Sequence, residues 1–128
     1  MKLGYYRDVE LSFGEAEDRV RATLQEQGFG VLTEIDVRVT MKKKLGVDFR
    51  PYKILGACHP PSALEALSAV PEIGLLLPCN VTVSRNDDGT IRLAAVDAET
   101  LLGVVERPEL FPVAEDVNRR LRNAIDAV

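Results

Sequence analysis

The stretch from Leu75 to Val96 limits the possible folds of this sequence more than any other. Leu75, Leu77, Cys79, Val81 and Val83 alternate with Pro78, Asn80, Thr82 and Ser84. A strand turns successive side chains to opposite faces, so the spacing predicts a strand over 75–85 with one apolar and one polar face. Asn86-Asp87-Asp88-Gly89 has the composition of a tight turn, and residues 90–96 alternate again, which predicts a β-hairpin. The apolar face of that hairpin needs a cover.

Two amphipathic helices are available to supply it. Ser12-Phe13-Gly14-Glu15 has the capping-box form, and Phe13, Ala16, Val20 and Leu24 follow at three- and four-residue steps. Gly28 stands where a helix commonly ends. Near the other end, Pro108 leads into a helix with Leu110, Val113, Val117, Leu121, Ala124 and Val128 on one stripe. Further strands are predicted over 3–10, with Leu3, Tyr5, Arg7 and Val9 on one side, over 29–36 and over 52–58. In the second of these, Phe29, Val31, Thr33 and Ile35 alternate with Gly30, Leu32, Glu34 and Asp36.

Short helices connect these parts. Asp36 caps one in which Val37, Met41 and Leu45 fall at four-residue steps, with Lys42, Lys43 and Lys44 outside and Gly46 closing it. Pro60 and Pro61 open a second through Leu64 and Leu67, and Asp97 caps a third through Leu102. Setting these aside, the order is β-α-β4-α. The expectation is an α+β two-layer fold: one antiparallel sheet with two long helices on one face and short connecting helices at the rim. The Leu75/Val81/Val83 side lies against the helices, and the other face carries Asn80, Thr82, Ser84, Thr90, Arg92 and Glu34. No linker, repeat or low-complexity tract divides the 128 residues, which suit a single domain over 1–128.

Charge narrows the partners. A formal net charge of −4 argues against a general nucleic-acid or anionic-membrane binder, which needs a basic surface. The longest apolar run, around Leu75-Leu76-Leu77, is far shorter than the roughly 20 residues of a spanning helix. No apolar h-region follows Lys2. A cytoplasmic protein with no nucleic-acid and no membrane partner is expected.

Several segments, taken together and in order, resemble a known family. They are Phe29-Gly30-Val31-Leu32-Thr33-Glu34-Ile35-Asp36, Lys44-Leu45-Gly46-Val47-Asp48-Phe49, and Pro51-Tyr52-Lys53-Ile54-Leu55-Gly56-Ala57-Cys58-His59-Pro60. Pro71-Glu72-Ile73-Gly74-Leu75-Leu76-Leu77-Pro78-Cys79-Asn80 and Ala98-Glu99-Thr100-Leu101-Leu102-Gly103 complete the set. The pattern resembles the bacterial and archaeal family called domain of unknown function 302 over nearly the whole chain. The resemblance implies a β-α-β4-α fold of the helix-grip, TATA-binding-protein-like kind. It implies no reaction, and the acidic charge makes the nucleic-acid role of that fold's namesake a poor transfer.

Two groups of residues carry candidate chemistry. The polar sheet face offers Asn80, Thr82 and Arg92 as directional contacts for a small ligand, or as part of an isologous dimer face. Cys58, His59 and Cys79 form the second group. Thiolate and imidazole suit zinc or copper, and a thiol pair can exchange disulfides. Against this group, the spacing is not Cys-x-x-Cys, no fourth ligand is evident, and alternation turns His59 away from Cys58 unless a bulge or the Pro60 turn rotates it back. Cys79, in line with Leu77 and Val81, reads as core.

The remaining candidates are bland. Ser62 and Glu65 near His59 lack a nucleophile-elbow Gly-x-Ser-x-Gly. Glu34, Asp36 and Asp48 lack calcium-loop spacing, and Lys42-Lys43-Lys44 has no phosphate-loop glycines beside it. No cofactor is expected. The leading reading is a non-catalytic small-ligand or protein-binding module that forms a homodimer. The alternative is a thiol redox or metal-binding protein using Cys58, Cys79 and His59.

Overall fold

Ser12 starts the first long helix as the capping-box spacing requires. Its hydroxyl accepts from the Glu15 amide at 3.1 Å and donates to the Glu15 carboxylate at 3.0 Å. In the computed structural model, which describes residues 2–128, strand β1 (Gly4–Val9) precedes that helix, α1 (Phe13–Glu26). Strand β2 (Gly30–Asp36), helix α2 (Val37–Leu45), strand β3 (Tyr52–Cys58) and helix α3 (Pro60–Ala69) follow. Then come strands β4 (Cys79–Arg85) and β5 (Ile91–Val96) and helices α4 (Ala98–Gly103) and α5 (Phe111–Asp126). The β-α-β4-α order of the long elements is as expected.

All five strands form one antiparallel sheet in the order β1-β5-β4-β3-β2. Helices α1 and α5 pack on each other and on one face of the sheet. Ala16, Val20 and Leu24 of α1 are buried, as are Val113, Val117, Leu121 and Ala124 of α5. They meet Leu55, Val81, Val83, Leu93 and Ala95, which alternation places on the same sheet face. At about 1.5–3 kcal/mol for each large apolar side chain removed from water, this layer contact dominates stability. Thr82 and Asn80 face away from the helices.

Three expectations need correction. First, the strand predicted over 75–85 starts only at Cys79. Pro71–Leu76 winds as a 3-10 turn that buries Ile73 and leaves Leu75 88% exposed. Pro71 supplies an N-terminal turn residue, and the three-residue repeat wins over the two-residue alternation.

Second, Glu34 lies on the helix side of the sheet, not on the open face. The β2–β3 register slips between Val31, opposite Ala57, and Thr33, opposite Gly56. The extra residue is Leu32, and such a bulge reverses the facing of everything after it. Glu34 therefore meets Arg21 of α1 at 2.5 Å and Lys53 at 3.3 Å, while Lys53 also reaches Glu17 of α1 at 2.9 Å. This network ties α1 to the β2–β3 edge.

Third, Thr90 belongs to the turn, where its amide and hydroxyl both donate to the Asp88 carboxylate, rather than to the open face of β5. Helix α2 is capped by Asp36 and closed by Gly46 at φ +65° as expected, but no residue in it is buried. Val37 and Met41 are half-buried, and Leu45 is exposed.

Candidate functional site

Strands β3 and β4 end side by side, with Ala57 opposite Cys79. Small residues gather there: Ala57 and Cys58 on β3, then Ala63 and Ala66 on α3. Because they leave space that larger side chains would fill, a cavity of about 270 Å³ opens between the strand ends, α3 and α5. Phe29, the bulged Leu32, Leu67, Leu77, Leu102 and, from α5, Val113 and Val117 line it. Cys58, His59, Ser62, Pro78 and Cys79 complete the wall, and no charged side chain borders it.

The imidazole reaches this wall because the strand stops one residue earlier. His59 is the N-cap position of α3, at φ −97° and ψ 101°, where the chain turns into Pro60. The Pro60 turn thus brings His59 back, the exception to strand alternation, and Cys58 and His59 border the same cavity. His59 Nδ1 lies 2.7 Å from Ser62 Oγ, and the ring packs tilted against Phe29 with centroids 5.7 Å apart.

Gly28 makes room for that ring. It takes φ +87° to end α1, and a Cβ there would sit 3.0 Å from His59 Cδ2. Burial lowers the His59 pKa, and the Arg120 guanidinium lowers it further against the opposing pull of Asp116. Arg120 is itself held by Asp116 at 2.9 Å and by the Gln27 carbonyl at 3.1 Å. The imidazole is therefore neutral near pH 7.

The two thiols differ. Both are free. Burial pushes Cys79 up to about 11, with Cys58 adding to the shift, so Cys79 stays protonated and packs as an apolar group. Cys58 is half-buried. In the native protein a thiol reagent is expected to label Cys58 alone, with Cys79 reacting only on unfolding. Two fast native thiols in a stopped-flow labelling trace would contradict this placement. Among the described residues no three His, Cys, Asp or Glu side chains converge as a metal site requires.

On the open face, Asn80 is exposed and Thr82 is half-buried between Ile54 and Ala94. Arg92 donates to both carboxylate oxygens of Asp8, at 2.9 and 3.1 Å, and lies over the Tyr6 ring at 5.8 Å. Two of its donors are thus engaged within the chain. The Thr82 rung continues through Ile54 to Ile35 and through Ala94 to Tyr6, so this face is more apolar than simple alternation implied. Of the other candidates, Asp48 pairs with Lys42 at 3.1 Å and Asp36 is spent on its cap, so these carboxylates do not converge with Glu34.

The family model described as Domain of unknown function DUF302 matches residues 5–128. The crystal structure of an uncharacterized conserved DUF302 protein from Bacillus stearothermophilus superposes with a TM-score of 0.92 at 30% identity, covering 99% of this chain and 98% of that one. No curated protein matches.

Proposed function

The chain belongs to the domain of unknown function DUF302 family, a membership that assigns no reaction, and from that premise we propose a non-catalytic module that holds a small molecule in the cavity beside Cys58, His59 and Cys79. The observation that carries this reading is the cavity itself. Protein interiors are close-packed, and a space of about 270 Å³ behind an apolar wall is where a ligand would gain most by leaving water. Arg92 favours this location over the open sheet face, because its two-point pairing with Asp8 would compete with a ligand there.

The same reading gives the open face to a second copy of the chain. The rung of Ile35, Ile54, Ala94 and Tyr6, with Thr82 at its centre and Asn80 and Arg92 alongside, suits an isologous homodimer. We place the protein in the cytoplasm and the fold among helix-grip, TATA-binding-protein-like architectures. Among the described residues no helix is long and apolar enough to cross a membrane. Thiol redox chemistry is the second reading, favoured by Cys58, His59 and Cys79 bordering one cavity.

Native mass spectrometry of the purified protein separates these readings. The expected spectrum shows two chains and an organic adduct that is lost on denaturation. A monomer with no adduct overturns the proposal. Stoichiometric zinc that disappears from both Cys58→Ala and Cys79→Ala would establish the thiol or metal alternative instead.

A further inference from the structure

We propose that the cavity selects an uncharged, mostly hydrocarbon ligand whose hydroxyl or carbonyl head meets the wall at the His59–Ser62 pair. This inference rests on the cavity being a binding site. Its selectivity comes from what borders the space and what does not.

The lining is carbon and thiol almost throughout: Phe29, Leu32, Ala66, Leu77, Val113 and Val117 present only hydrocarbon, and Cys79 is a protonated thiol. A carboxylate or phosphate entering here would need a cation. The nearby candidate, Arg120, is not part of the lining and is already held by Asp116 and the Gln27 carbonyl. An ammonium would need an anion, and no carboxylate borders the space. A charge drawn in among these side chains without a partner costs several kcal/mol, which sets both classes behind a neutral ligand.

The polar exception on the wall is the His59–Ser62 pair. His59 Nδ1 and Ser62 Oγ occupy each other at 2.7 Å. A hydroxyl has one proton and two lone pairs, so Ser62 keeps capacity for two more hydrogen bonds after bonding the imidazole, and the second ring nitrogen of His59 is a further polar atom beside it. A small polar head on the ligand is matched at this pair, whereas a polar group placed elsewhere along the lining would meet only hydrocarbon and thiol. The volume of about 270 Å³ falls at or below the span of about 300–1,000 Å³ usual for drug-sized pockets, which keeps the occupant small.

Three probes of equal chain length test the class: 1-hexanol, hexanoate and hexylammonium, titrated at neutral pH and followed by amide NMR shifts. Saturable hexanol binding that shifts β3, α3 and α5 amides is expected, with both ions at least about 100-fold weaker. Ala63→Phe, which fills the space, and Leu67→Trp, which narrows its rim, should each weaken hexanol at least about tenfold. Two variants are used so that one folding failure does not remove the test. Hexanoate or hexylammonium binding as tightly as hexanol would overturn the ligand class while leaving the binding site standing. No saturable binding by any probe, or binding unaffected by both variants, would overturn the site as well.

Discussion

Val81→Asp is expected to abolish folding. Val81 is fully buried in the middle strand of the sheet, between Leu55 of β3 and Ala95 of β5, beneath the helix layer. The substitution removes apolar contact and places a carboxylate where no described basic group waits for it. Either the group stays charged and unpaired or it takes up a proton at a pKa far above its ordinary value, and both are costly. A cost of more than about 4 kcal/mol is expected, against a total stability of about 5–15 kcal/mol for domains in general. Thr82→Asp, one residue away on the open face, is the control and should fold with a far smaller loss. Circular dichroism with thermal melting decides the matter. A soluble, cooperatively melting Val81→Asp protein would mean that β4 runs in the opposite register.

Asn118→Leu is expected to give the second-largest loss, about 2–4 kcal/mol at neutral pH. Asn118 of α5 is buried and joins two elements. Its Oδ1 accepts from the Ala98 amide at 2.6 Å, and its Nδ2 donates to Asp97 Oδ1 at 3.2 Å. Asp97 also accepts from the Thr100 amide at 3.0 Å, which caps α4. Leucine would orphan the buried Ala98 amide and take one donor from a carboxylate that is only 7% exposed.

The loss should also depend on pH. Burial pushes the Asp97 pKa up, but the Thr100 amide, Asn118 and the Glu99 amide together outweigh it and hold the group below its ordinary value. A pKa depressed in the folded state adds stability that is present above the unfolded value of about 3.9 and is lost as pH falls through the folded value. The leucine variant lacks part of that contribution. Its deficit, read from urea melts, should therefore be larger at pH 7 than at pH 2.5. An equal deficit at both pH values would remove Asp97 from the account.

The hairpin, the α1 capping box and the α5 stripe were legible in the sequence because each follows from a local rule. Val81 and Val83 repeat at two, Val113, Val117 and Leu121 at three and four, and Ser12 and Glu15 stand at capping distance. The bulge at Leu32 leaves no such mark. Val31, Leu32, Thr33 and Ile35 fit a strand in either register, and only pairing with β3 decides which residue is skipped. Leu75 failed for the related reason that an apolar run serves a two- or a three-residue repeat equally well.

The candidate site was half legible. Cys58, His59 and Cys79 stand out by residue type, whereas Phe29, Leu32, Val113 and Val117 are ordinary apolar residues until the fold brings two distant segments together. The small side chains Ala57, Cys58, Ala63 and Ala66 are the sequence signal that marks the place. Gly56 must be small: a Cβ would lie 2.0 Å from Thr33 Oγ1 and 2.7 Å from the Pro78 ring.

The strand order has a temporal consequence. β2, β3, β4 and β5 each pair with the strand nearest them in the sequence, whereas β1 has a single partner, β5, with Gly4 facing Val96 and Val9 facing Ile91. On a ribosome, the first strand to emerge must remain unpaired until residues 91–96 have followed it out. Closing so long a loop carries an entropic cost that the local pairings escape, and contacts of large sequence separation slow folding. Until then β5 has a bare edge, and the nascent chain is at its most exposed to pairing with a neighbour.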